Sequence, residues 1–169
     1  MSPGLRVPPV LLLAVVLHTA VLPHFRVFDV AADVLLLLAI AAALVAGAER
    51  GALIGFACGL LADCFLQTPF CLSALAYSLV GWSVGSFQSR ILHATWWIPM
   101  VTTAVAAAAG ILLYAALGAV VGQSHLISSR LMTIVGVVAF LDALLSPLAV
   151  RAMRWAFDVE QRGAILLVR

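Results

Sequence analysis

Two carboxylates, Asp63 and Asp142, stand inside apolar runs of a chain that carries few charges, and they are the residues with most scope for chemistry. An acidic group within a membrane span is expensive, so it faces a polar cavity, a partner or the interface. Asp63 is expected about one turn from the end of its span, as an acceptor for backbone or arginine donors or as a polar contact that orders the adjoining loop. Asp142 is expected deeper, near the middle of the last span, with His18, Tyr77, Tyr114 or a neighbouring serine as partner. Two carboxylates and scattered histidines are too few for a proton or cation pathway. Asp29, Asp33 and His24 belong to a helix–helix connection that water reaches, and Glu49 and Arg50 to a solvated turn. Cys58, Cys64 and Cys71 have neither metal-ligand spacing nor a nearby histidine and read as small apolar side chains, so no metal or other cofactor is expected. There is no HExxH, no phosphate loop and no CxxC, and Ser73 and Ser124-His125 have no triad context.

These residues sit in 169 positions of which 65% are hydrophobic and 9% charged, with a mean hydropathy of +1.20. A soluble domain is typically about one-quarter charged, so the composition predicts an integral membrane protein. Val34 to Val45 is apolar all round rather than alternating, which predicts helices and excludes a barrel. Six spans are expected, at about 7–23, 33–46, 51–67, 72–88, 96–122 and 131–153, forming one all-α membrane domain. The first is read as a retained span rather than a signal peptide, because no small-x-small cleavage site follows it. The tail from Arg154 to Arg169 is expected to lie at the membrane interface or to fray.

All nine basic residues are arginine. Seven of them (Arg6, Arg50, Arg90, Arg151, Arg154, Arg162 and Arg169) fall on one side of a six-span arrangement, against Arg26 and Arg130 on the other. Basic loops stay in the cytoplasm, so both termini are expected there. The arginines are spread too thinly to bind nucleic acid.

Gly47, Gly51, Gly55 and Gly59 recur every fourth residue, and Asp63 takes the next place. Lipid is as apolar as leucine, so helices in a bilayer associate through close backbone approach, which small residues permit. Gly51, Gly55 and Gly59 are therefore expected to form a shallow groove for a neighbouring helix, within the chain or from a partner. Gly81 and Gly85 in the fourth span, and Gly118 and Gly122 in the fifth, are expected to offer similar faces. The hairpin of spans three and four, closed by Pro69, is the expected tightly packed centre.

Gly55-Phe56-Ala57-Cys58-Gly59-Leu60-Leu61-Ala62-Asp63, preceded by Asp33 to Leu38 and followed by Leu72 to Gly81, resembles the rod shape-determining protein MreD family. The agreement covers about residues 30–90, and length and six-span layout agree across the chain. Ala32 stands where that family often has proline, and Phe70-Cys71 where a glycine is frequent. The resemblance implies a non-enzymatic inner-membrane scaffold of the bacterial elongation machinery. It implies MreC, a single-span protein, as direct partner, and joint work with MreB filaments and with RodA and its penicillin-binding transpeptidase in building lateral peptidoglycan. It also implies a fold like the six-helix substrate-binding subunit of energy-coupling-factor transporters. That likeness defines the alternative expectation, a small-molecule-binding transporter subunit, against which the scarcity of polar side chains within the spans argues.

Overall fold

The computed structural model describes residues 7–21, 32–65, 71–87, 97–122 and 131–167. The Pro69 turn, the 88–93 connection, Asp29, His24 and Ser124 to Arg130 lie outside them. Among the described residues the protein is all-helical, with six helices and no strand. They are α1 (Val7–Val16, continued by a π-helical turn, Leu17–Val21), α2 (Val34–Ala46), α3 (Ala48–Phe65), α4 (Leu72–Ser86), α5 (Ile98–Val120) and α6 (Leu131–Leu167).

The centre of the bundle is α2. Its 13 residues read VLLLLAIAAALVA, and every side chain from Val34 to Leu44 is buried. A helix apolar on all sides has no face to offer water, so it becomes the core around which amphipathic or lipid-facing neighbours assemble. At 1.5 Å per residue it is about 20 Å long, short of the roughly 30 Å of bilayer hydrocarbon. Each of the other five helices touches it. Gly47, at φ 89°, ends α2 in a conformation that glycine adopts without strain, and α3 starts at the next residue.

Two helices are long and apolar enough to cross a bilayer, α5 and the Leu131–Phe157 part of α6. Of their most apolar stretches 33% and 28% are buried inside the protein. Val101, Val105 and Leu112 of α5 and Phe140, Leu144 and Leu148 of α6 are exposed on the outside of the bundle. Between these two helices Thr103 and Ser146 share a buried 2.9 Å hydrogen bond, while Thr103 Oγ1 also reaches the Pro99 carbonyl. The last helix does not stop near residue 153 but continues to Leu167, passing through Pro147. Its lower part is held to α3, where the Arg50 guanidinium lies 5.7 Å from the centroid of the Phe157 ring, a cation–π distance.

Candidate functional site

The α3–α4 pair is built on the four-residue glycine spacing. The two helices run antiparallel, and each glycine of one meets backbone of the other. A methyl group added to Gly51 would stand 2.6 Å from Ala43 Cβ in α2 and 2.9 Å from the Gly81 carbonyl oxygen. At Gly55 it would fall on the Tyr77 peptide, 2.8 Å from its carbonyl carbon; at Gly59, 2.5 Å from the Ala74 nitrogen; at Gly85, 2.6 Å from the Gly47 carbonyl carbon. Four rungs therefore run from Gly85 beside Ala48, through Gly51–Gly81 and Gly55–Tyr77, to Gly59–Ala74. The groove expected on α3 exists, and α4 of the same chain fills it, with α2 closing the Gly51 end.

Asp63 completes that ladder. It is 1% exposed; its Oδ1 accepts from the Ser73 backbone nitrogen at 3.2 Å and its Oδ2 from that of Ala74 at 3.4 Å. Those are the second and third residues of α4, whose N–H groups have no partner inside their own helix. The residue in the capping position, Cys71, makes no side-chain hydrogen bond and sits at φ 76°. Asp63 thus supplies from α3 the cap that α4 lacks, and its negative charge lies at the positive end of the helix dipole. Gly59 lets the start of α4 come close enough to be reached one turn later.

The glycines of α5 and α6 behave differently. Gly122 ends α5 at φ 93° and meets nothing within 4 Å, and Gly136 in α6 also faces open space. Gly118 is buried, but its partner four residues on contributes no groove. The letters of Gly81-Trp82-Ser83-Val84-Gly85 match the G-x-S-x-G of a nucleophile elbow. That motif needs a strained strand-to-helix turn. Here it lies within α4, and Ser83 Oγ is exposed and donates to the Leu79 carbonyl at 2.8 Å.

A second polar group lies between α2, α4 and α5. Asp33 caps α2, its Oδ1 accepting from the Leu36 nitrogen at 3.1 Å, and the Tyr77 hydroxyl donates to its other oxygen, Oδ2. Asp33 is only partly exposed, and the hydrogen bond ties α2 to α4. The sequence signal was an aspartate directly before an apolar helical run, the ordinary N-cap pattern. Asp142 is fully buried, and neither of its oxygens has a hydrogen-bond partner. It pairs with none of His18, Tyr77, Tyr114 and serine. A cavity of about 160 Å³ beside this group is lined by Asp33, Ser73, Tyr77, Gly110 and Tyr114 among others. A separate apolar groove lies among α1, α2 and α6, lined by Leu13, Leu17, Leu38 and Leu148 and neighbours.

Of the cysteines, Cys58 is buried in the core, and Cys64 and Cys71 are exposed with free thiols. No group of three or more histidine, cysteine, aspartate or glutamate side chains suited to a metal occurs among the described residues. Comparison with family models, with curated proteins and with solved structures finds no match.

Proposed function

We propose that this chain is a non-enzymatic scaffold in the bacterial inner membrane, crossing it six times with both termini in the cytoplasm, and that it binds MreC to support lateral wall synthesis by the RodA–transpeptidase pair, with MreB acting indirectly. The observation that carries this reading is the role of the residues on which the MreD resemblance rests. Gly55, Gly59 and Asp63 pack and cap a helical hairpin rather than approach a substrate. That use of a motif suits a protein whose work is to present a fixed surface.

Because α4 occupies the glycine groove, the partner's span meets the other side of α3. That side carries Leu53 and Phe56, both exposed, with Leu60 partly so and Cys64 following at helical spacing. Among the described elements α3 has most of its contacts with α2 and α4, which leaves this face at the edge of the bundle, accessible to lipid or to another helix. The glycines then act on MreC indirectly, by keeping the hairpin rigid.

A photo-crosslinking amino acid at Phe56, in cells that produce both proteins, is expected to give an adduct with MreC; the same probe at Leu148 on α6 is the comparison. An adduct from Leu148 and none from Phe56 would contradict the assignment of the α3 face. The absence of MreC from affinity-purified native membranes would contradict the scaffold reading itself.

A further inference from the structure

The geometry points to a binding site for a primary ammonium group in the cavity of about 160 Å³ that Asp33, Ser73, Tyr77, Gly110 and Tyr114 line between α2, α4 and α5. It goes beyond the scaffold reading and does not depend on it. The polar side chains on its wall are one carboxylate, one aliphatic hydroxyl and two phenols, and no basic side chain is among its lining residues. The carboxylate accepts only, and the Tyr77 proton is already given to Asp33, so the wall offers mainly acceptors.

One buried group on this wall lacks a hydrogen-bond partner. Ser73 is 1% exposed and its Oγ has no hydrogen-bond partner, whereas Ser83 and Ser86 of the same helix each bond the carbonyl four residues back. Asp142, also fully buried with both oxygens unpartnered, is not among the lining residues of this cavity. An unpaired buried hydroxyl or carboxylate is costly. A positively charged donor answers the Ser73 deficit: it donates its N–H groups to Asp33 and to Ser73 Oγ, and its charge offsets the Asp33 carboxylate.

The cavity also distinguishes among cations. A metal ion needs a tight cage of oxygens, whereas this space is several water volumes in size and two phenol rings form part of its wall, surfaces that favour an organic cation. A quaternary ammonium has no N–H to give Ser73. A primary ammonium has three. Gly110 keeps the α5 wall low, since a methyl group there would stand 3.0 Å from Leu36 Cδ2. Asp33 and Ser73 both lie at helix starts, at the same end of the bundle, so the ammonium can belong to a phosphatidylethanolamine headgroup or to a free amine.

The test uses the full chain in nanodiscs, with melting temperature as readout. In phosphatidylcholine discs, ethanolamine is expected to raise the melting temperature with dose, and choline at equal ionic strength to leave it unchanged. Phosphatidylethanolamine discs separate the sources: a raised starting temperature with no further response to ethanolamine assigns the lipid headgroup, and an undiminished response assigns the free amine. Asp33→Asn keeps an acceptor for the Leu36 N–H and turns an NH2 to the Tyr77 oxygen, which can accept from it, but loses the charge, and Ser73→Ala removes a hydroxyl that bonds nothing in the protein. Each is expected to weaken the ethanolamine response about tenfold or more, read as the concentration for half-maximal shift, so that a changed starting temperature does not mask the result. Equal responses to ethanolamine and choline, no response to ethanolamine in either kind of disc, stabilisation by sodium ions in place of the amine, or an Asp33→Asn protein that responds like the parent would overturn the proposal.

Discussion

The α3–α4 hairpin and the α5–α6 pair both carry glycines within apolar helices, and they use them in opposite ways. In the hairpin, Gly51, Gly55, Gly59, Gly81 and Gly85 each rest on backbone of a neighbouring segment. In the other pair, Gly122 and Gly136 rest on nothing, Gly110 meets only side chains of α2 and α4, and the helices are joined instead by the buried Thr103–Ser146 hydrogen bond. The difference shows that a glycine four residues from another glycine is a packing device only where a second helix is brought to lie along the same face. For α3 and α4 the short connection and the Asp63 cap do that. For α5, Gly122 is spent on terminating the helix.

The largest expected effect comes from filling a rung. In Gly55→Leu the added side chain meets the Tyr77 peptide, which has no flexible end to yield, so the cost should exceed the ~1–3 kcal/mol typical of an overfilled core. The hairpin is expected to separate, with a large fall in melting temperature and in yield of monodisperse protein, and Gly55→Ala should show a smaller version of the same loss. A Gly55→Leu protein with the parent's melting temperature would remove the distinction between the two regions.

Asp63→Ala should rank second. It leaves the Ser73 and Ala74 N–H groups buried without acceptors, at about 1–3 kcal/mol each. Asp63→Asn, which keeps one oxygen, should lose less. Hydrogen–deuterium exchange at the start of α4 reads this directly, with faster exchange expected in the order Ala, Asn, parent. Smallest is Gly136→Ala. With no neighbour within 4 Å and better helix propensity, the change is expected to be neutral or to stabilise by up to about 1 kcal/mol, measured as melting temperature. A clear destabilisation would mean that α6 has a close neighbour at that point.

The hairpin's side of this contrast was legible in the sequence. The four-residue period from Gly47 to Gly59 announced a groove, and the all-round apolarity of Val34 to Val45 marked a helix with no face for water, though it did not say that α2 becomes the core rather than one span among equals. That position depends on which helices surround it. The occupant of the groove was not legible either, because spacing describes one helix and packing needs two. The same limit hid the role of Asp63, whose donors lie 10 and 11 residues away, across a connection whose course local sequence does not encode. Gly118 and Gly122 have the same spacing as the hairpin's glycines, yet the positive φ at Gly122 removes it from the helix face. Asp33 was nearer to being readable, as an aspartate heading an apolar run. Its hydrogen bond to Tyr77, 44 residues on, and the isolation of Asp142 follow only from the folded arrangement.

The central claim is that the glycine face of α3 lies against the backbone of α4 in the same molecule. Nuclear Overhauser contacts between the α-protons of Gly59 and Ala74, recorded on the full chain in lipid nanodiscs, test it most directly. Strong contacts are predicted, and they should persist in samples where labelled and unlabelled chains are mixed. If both resonances are assigned and no such contact is seen, while a paramagnetic lipid broadens the Gly59 α-protons, that face is turned to the bilayer and the account fails.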